Sequence, residues 1–371
     1  MGSQRLIISY VLDWIVLIVF VAIAGSFSAV SPSKRPFSLA DPSISLPYKK
    51  DTISIALAAI VCGVIPAAII AIVSCSIAAW RARRADVHLR GQVTRRELWE
   101  WLTGWLGLGL SFVTAFFFAQ AVKNLVGKPR PDFLARCNPD SANESAYALE
   151  HYDPAGRVLV DWHICQTKNG GGVGISEFND GFRSFPSGHT CSKFFLLQRL
   201  DSYGICANPS TFVLVAFAGL LYLSLWLAMK FSVGIPILYS DRMHISKDPP
   251  FEHGGIYDEA SSLRRQNAAP PLYLVALILI PLAVAIYIAT TRYQDGKHHG
   301  FDVVFSAIIG SVSGYLGFRL YHLPIGKSAG RSWGPRGRHR AFGIKIGVLS
   351  YAEPVENERR TEDIEIGHTS L

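Results

Sequence analysis

Leu98 to Val122 reads LWEWLTGWLGLGLSFVTAFFFAQAV, and Lys123-Asn124-Leu125-Val126-Gly127-Lys128-Pro129-Arg130-Pro131 follows at once. The first part is apolar enough to cross roughly 30 Å of hydrocarbon as a helix, whereas the second is polar and basic. Five other segments, Ile7 to Phe27, Ile53 to Ile77, Thr211 to Lys230, Leu272 to Ile288 and Val303 to Phe318, are apolar enough or nearly so for the same reading. The 371 residues are 50% hydrophobic and 17% charged, with a mean hydropathy of +0.25, a profile of the bilayer rather than of a soluble domain. The expected fold is therefore all-α, a polytopic bundle of six transmembrane helices. For the first segment a cleaved signal peptide is the alternative, since Ala22-Ile23-Ala24 resembles a cleavage site, but its charged start is Arg5 alone.

A net charge of +8 raises the question of nucleic acid, and the location of the charge answers it. The densest basic stretch between two spans holds Arg81, Arg83, Arg84, Arg90, Arg95 and Arg96, and a second tract after the sixth span holds Lys327, Arg331, Arg336, Arg338 and Arg340. By the positive-inside rule both are cytoplasmic, and counting spans gives the same result, so a membrane is expected and nucleic acid is not. The same parity puts residues 28–52, 123–185 and 289–302 together on the exoplasmic face. There lie the glycosylation sequon Asn143-Glu144-Ser145 and two cysteines, Cys137 and Cys165, able to pair in an oxidising lumen. The acidic tail, 346–371, is expected to be disordered, and the loop Asp241 to Asn267 falls on the cytoplasmic side, away from the polar stretches.

Those stretches are three: Lys123 to Pro131, Arg183-Ser184-Phe185-Pro186-Ser187-Gly188-His189, and Thr291-Arg292-Tyr293-Gln294-Asp295-Gly296-Lys297-His298-His299-Gly300-Phe301-Asp302. Together they hold what phosphoryl transfer requires. Lys123, Arg130 and Arg292 supply a point charge and two planar forks for phosphate oxygens, and Ser187 and the Gly188 amide supply further donors. Two histidines, His298 and His189, divide attack on phosphorus from protonation of the leaving oxygen, because both tasks need a group titrating near neutral pH. Asp302 follows His298 by four residues; with a helix starting at Gly300, that spacing brings its carboxylate back to one imidazole nitrogen and fixes the tautomer. Singly, each stretch also reads as an interfacial anchor, a turn or a chance histidine pair. A metal site using Asp295, Asp302 and His299 is the further alternative, disfavoured because no cysteine or carboxylate cluster completes a tetrahedral set. No cofactor is expected.

The three stretches resemble the signature motifs of the type 2 phosphatidic acid phosphatase family: Lys, six residues, Arg-Pro; Pro-Ser-Gly-His; and Ser-Arg, five residues, His, three residues, Asp. Here they read Lys123 to Arg130-Pro131, Pro186 to His189, and Thr291-Arg292 to His298 to Asp302. The resemblance implies that His298 is the nucleophile, Asp302 its orienting partner and His189 the general acid. It makes Lys123, Arg130, Ser187, Gly188 and Arg292 phosphate ligands, in a metal-independent reaction. The run from Lys128 to Cys137 looks especially like fungal diacylglycerol pyrophosphate and lipid phosphate phosphatases. The expected substrate is then a membrane lipid, phosphatidic acid, lysophosphatidic acid or diacylglycerol pyrophosphate, with sphingoid-base and isoprenoid phosphates as the alternative.

Two departures from the pattern stand out. Thr291 replaces a serine and keeps the hydroxyl. Residues 193–210, beginning Lys193-Phe194-Phe195, intervene between the second motif and the fourth span and read as an insertion, either a retained intron or a genuine exoplasmic loop. With the segment real, a catalytically impaired lipid-binding relative becomes the rival from another class. The core resembling the family runs over 51–345, after a first helix and exoplasmic loop over 1–50. A transporter is the remaining class, and the spans argue against it by holding few ionisable groups, Asp13 being the clearest.

Overall fold

The computed structural model describes residues 2–166, 175–186, 212–233, 270–325, 330–337, 342 and 351–352. Ser187, Gly188, His189, the segment 193–210, the loop Asp241 to Asn267 and nearly all of the 346–371 tail lie outside the described residues. In chain order the helices are α1 (Gly2–Ala29), α2 (Ile55–Ala59), α3 (Ile65–Arg84), α4 (Arg90–Val126), short α5 (Phe133–Cys137), α6 (Glu144–Tyr147) and α7 (Ile175–Gly181), then α8 (Phe212–Lys230), α9 (Leu272–Gln294) and α10 (Gly300–Tyr321). A two-stranded antiparallel ribbon, β1 (Ala148–Tyr152) with β2 (Val158–Val160), is the one sheet among the described residues.

Among the described residues, six helices are long and apolar enough to cross a membrane: Gln4–Phe27, Ala56–Arg84, Arg90–Val126, Val213–Lys230, Leu272–Gln294 and Gly300–Tyr321. The six expected segments are all present. Several helices outrun their apolar stretches: α3 runs on to Arg84, α4 starts at Arg90 rather than Leu98, and α9 runs on to Gln294. The backbone ladder continues through polar residues once these find partners. At the start of α4 the buried Glu97 accepts from Arg81, and Glu100 accepts from Lys230 Nζ at 2.8 Å. The extension of α9 carries Arg292 beyond the apolar stretch that ends at Ile288.

The second span has a built-in irregularity. Pro66 has no N–H to give the carbonyl of Cys62 and its ring crowds that carbonyl, so the helix loosens into a π turn over Ile60–Val64 between α2 and α3. Against this turn packs α8, the central helix, whose Leu214, Ala218, Tyr222 and Trp226 are wholly buried. The contact with α10 is made through small residues. A Cβ on Gly310 would lie 2.4 Å from the Leu214 carbonyl oxygen, and one on Gly314 2.8 Å from that of Ala218. Such close backbone approach is how helices associate in lipid, where apolar burial gives little drive. Outward-facing Ile18, Ile72 and Ile280 stay exposed, as side chains facing hydrocarbon do.

The two ends of the bundle differ. At one end, Trp99 Nε1 donates to the Trp333 carbonyl, the Ser332 amide donates to Glu100, and Arg336 Nη2 pairs with Asp13 at 2.8 Å. The basic tract around Arg81 and the segment after α10 therefore meet there, as the span count expects. At the other end residues 30–54, 128–166 and 175–186 form a cap with its own core of Phe37, Ile44, Phe133, Val160, Ile164, Phe178 and Phe182. Phe37 exchanges backbone hydrogen bonds with Val160, and a disulfide joins Cys137 to Cys165.

Candidate active site

Three helix ends converge beneath this cap. Helix α4 stops at Gly127, whose φ of +57° is left-handed and where a Cβ would fall 2.0 Å from the Ser33 carbonyl oxygen, so only glycine fits. The stop comes one turn after Lys123, which is buried. The chain then turns across the site, pinned by Arg130 N–H to the Gly181 carbonyl at 2.9 Å and by Ser184 N–H to the Lys128 carbonyl at 3.0 Å. The last turn of α9 delivers Arg292, wholly buried, and the Lys297 amide donates back to its carbonyl at 3.2 Å, which returns the chain to His298. His299 then caps α10, and Asp302, at the third helical position, accepts from the His299 amide at 3.3 Å. This capping box fixes Asp302.

His298 Nδ1 donates to the Ser184 carbonyl oxygen at 2.8 Å, so the proton sits on Nδ1 and Nε2 carries the lone pair. This differs from the expected His298 to Asp302 contact. The Asp302 carboxylate instead accepts from Ser184 Oγ at 2.5 Å and Lys128 Nζ at 2.8 Å, with His299 Nδ1 at 3.2 Å. The reason is geometric: once Asp302 turns back to cap its own helix, its oxygens point to the residue before the helix and to Ser184 across the gap. Asp302 thus reaches His298 through Ser184, holding the residue whose carbonyl orients the imidazole.

Arg130 is held by a carboxylate outside the motifs, and Arg292 by Asp51, outside them, and Asp295, inside the third. Arg130 Nη2 donates to Asp180 at 2.6 Å, Arg136 bridges Asp180 at 3.2 Å and Asp132 at 2.9 Å, and Lys297 Nζ donates to Asp132 at 3.1 Å. This buried ladder runs from the first motif to the neighbour of His298. Arg292 donates from Nη1 to Asp51 and from Nη2 to Asp295, both at 3.0 Å. Lys123 lies within electrostatic reach of Arg130, Asp180, Arg183 and Asp302. Burial raises the Asp51 carboxyl above its ordinary range despite the nearby Arg292, Lys297 and Arg130. For Asp295, burial is outweighed by hydrogen bonds from the Thr52 hydroxyl and amide and by Arg292 and Lys49, so its carboxyl is held low. Burial lowers Lys297, with Asp132 opposing.

Of the residues singled out in the sequence, Lys123, Arg130, Arg292, His298 and Asp302 come together here, whereas Ser187, Gly188 and His189 fall outside the described residues. The Thr291 hydroxyl donates to the Ile288 carbonyl at 2.7 Å, inside its own helix. Asp295 and Asp302 serve different partners, and among the described residues no group of three or more His, Cys, Asp or Glu side chains is arranged to hold a metal. Sequence reading missed Ser184, Lys128 and Lys297, which lie inside the quoted stretches, and Arg136 just beyond the first. It also missed Asp51, Asp132 and Asp180, for which no motif gave a signal.

Diacylglycerol pyrophosphate phosphatase 1 of Saccharomyces cerevisiae is 26% identical over 223 residues, 60% of this chain and 53% of that protein, so the chain spans about half of that relative's length. A probable diacylglycerol pyrophosphate phosphatase 1 of Schizosaccharomyces pombe is 26% identical over 295 residues, 79% of this chain and 74% of its own. Lipid phosphate phosphatase 1 of Arabidopsis thaliana is 23% identical over 326 residues, 87% and 71%. No solved structure matches significantly. The model of the PAP2 superfamily matches in two stretches, 104–200 and 196–324, which meet inside the suspected insertion. Because that match takes in more than half of the sequence and every described residue of the site except those of the loop before α2, the chain belongs to the PAP2 superfamily.

Proposed function

We propose that the protein is an integral membrane lipid phosphatase that hydrolyses phosphatidic acid, lysophosphatidic acid or diacylglycerol pyrophosphate through a phosphohistidine at His298, without a metal. The observation that carries this reading is the oriented imidazole: Nδ1 bound to the Ser184 carbonyl at 2.8 Å, which puts the lone pair of the neutral ring on Nε2, beside buried Lys123, Arg130 and Arg292. Lys123, Arg130 and Arg292 are buried cations, and a phosphate dianion offers such groups charge-assisted hydrogen bonds. The names of the yeast and plant relatives support the lipid class.

In the proposed reaction, Nε2 of His298 attacks phosphorus as the bond to the leaving oxygen breaks, and His189 gives that oxygen a proton. Water then attacks the phosphohistidine, returns a proton to His189 and releases inorganic phosphate. The arginines act mainly by stabilising equatorial oxygens in the transition state. Span counting puts these events on the exoplasmic face, where a lipid headgroup reaches the site while its tails stay in the bilayer.

The test is phosphate release from each lipid by protein purified in detergent with chelator present. Wild-type release that is lost in His298→Ala and His189→Ala supports the mechanism. Undiminished release from either variant overturns it, and inhibition by chelator overturns the metal-free reading.

A further inference from the structure

The loop that connects the first two spans, residues 30–54, is stitched over the site. Ser33 N–H donates to the Asn124 carbonyl at 3.0 Å, Leu46 N–H to the Pro131 carbonyl at 2.9 Å, and the Tyr48 ring lies 3.9 Å from Lys297 Nζ. At its end stand two residues that treat Arg292 differently. Thr52 donates its amide and hydroxyl to Asp295, which is buried and itself accepts from Arg292 Nη2, so that side of the guanidinium is locked. Asp51 accepts from Nη1 with a side chain still 22% exposed, and among the described residues Arg292 is its one hydrogen-bond partner.

The position of Asp51 is that of an anion in a phosphate clamp. Its carboxylate bonds one arm of Arg292 and feels the charges of Lys297 and Arg130. A carboxylate and a phosphate present the same kind of oxygen to a guanidinium fork, and one arm cannot hold both in full. We infer that Asp51 is a resident competitor for the phosphate position on Arg292, displaced when the substrate phosphate binds and returning as inorganic phosphate leaves. Asp295 remains in place throughout and keeps the arginine aimed. The affinity of the site for phosphate is then set by the difference between the incoming anion and Asp51, which keeps the clamp neutralised when empty and hastens product release.

This inference rests on the phosphatase reading, and the experiment separates the two. Orthovanadate and inorganic phosphate are titrated as inhibitors of detergent-purified wild type, Asp51→Asn, Asp51→Glu and Arg292→Gln, with KM and kcat for phosphatidic acid measured alongside. For Asp51→Asn the inhibition constants of both anions should fall about tenfold and KM should fall with them, since one competing charge has been removed. Asp51→Glu, which keeps the charge, should not reproduce the fall, and Arg292→Gln should raise both constants. Where Asp51→Asn fails to accumulate, Asp51→Ala makes the same test. Unchanged or raised constants for a folded Asp51 variant overturn the inference, and a lower kcat in place of a lower KM makes Asp51 a positioning residue instead. Wild type that neither hydrolyses the lipid nor responds to vanadate overturns the phosphatase reading, and the inference with it.

Discussion

His298 is oriented by the backbone of Ser184: its Nδ1 lies 2.8 Å from that residue's carbonyl oxygen, while the Ser184 hydroxyl is bound to Asp302 at 2.5 Å. A main-chain carbonyl survives any side-chain substitution, so the contact to the imidazole and its anchorage can be separated by mutation. Ser184→Ala keeps the first and removes the second. Its kcat is expected to fall about tenfold, against a loss of at least about a thousandfold for His298→Ala. Equal losses in single-turnover assays of the two variants would mean that the Ser184 hydroxyl acts directly in the chemistry.

Asp302 has a second duty as the third-position cap of α10. Asp302→Asn keeps the shape but loses the charge that faces Lys128, and the buried Ser184 hydroxyl loses its ionised acceptor. The variant is expected to lose activity by about a hundredfold and about 1 to 3 kcal/mol of stability, as happens when a buried charged hydrogen-bond partner is removed. Lys128→Met, at the half-exposed end of the same pair, is expected to cost less in both. Thermal unfolding of the two proteins checks the ranking.

Asp180 holds Arg130 and Arg136 at once, and all three are buried. Removing the carboxylate leaves two buried guanidinium groups short of a partner, so Asp180→Ala is expected to cost about 3 to 5 kcal/mol. Asp180→Glu should restore part of the activity by keeping the charge. A glutamate variant no better than alanine in kcat/KM would show that the exact placement of Arg130, rather than its neutralisation, is what matters.

The acid limb of stability should carry the signature of Asp295. Its carboxyl is held below the ordinary 3.8, so the stability it contributes is present above that value and is lost as pH falls through the lower folded one. Unfolding temperatures measured from pH 7 down to 3 should therefore drop less in Asp295→Asn than in wild type at the acid end, from a lower starting point near neutrality.

Thr291 stands where the family pattern has serine, and its hydroxyl is spent on the Ile288 carbonyl within α9. Serine makes the same bond. Thr291→Ser is therefore expected to change kcat/KM by less than about threefold, a difference of well under 1 kcal/mol. A many-fold rise in turnover would show that the extra methyl crowds the site.

How much of this was legible beforehand follows the range of each signal. Apolar runs long enough to span hydrocarbon announced all six helices, because in lipid the backbone must satisfy itself locally. Motif spacing gathered Lys123, Arg130, Arg292, His298 and Asp302, since those spacings sit on helix ends whose geometry is local. The expected Asp302 to His298 bond depended on where a capping side chain turns, and there the helix terminus took the carboxylate for itself. Residues 187–189, which carry the second motif, lie outside the described residues, and His189 keeps its assigned role only as a proposal.

The sequence by itself determined a six-span membrane bundle and the chemical character of its site, because hydrophobic run length and short-range spacing need no partner to be read. Only the tertiary structure decided which carboxylates hold which cations. Asp51 lies 241 residues from Arg292, and Asp132 lies 165 from Lys297. No local pattern marks such pairs. They exist because burying a guanidinium or an ammonium requires a counter-charge, and the folded cap brings whichever carboxylate its loops carry past that point.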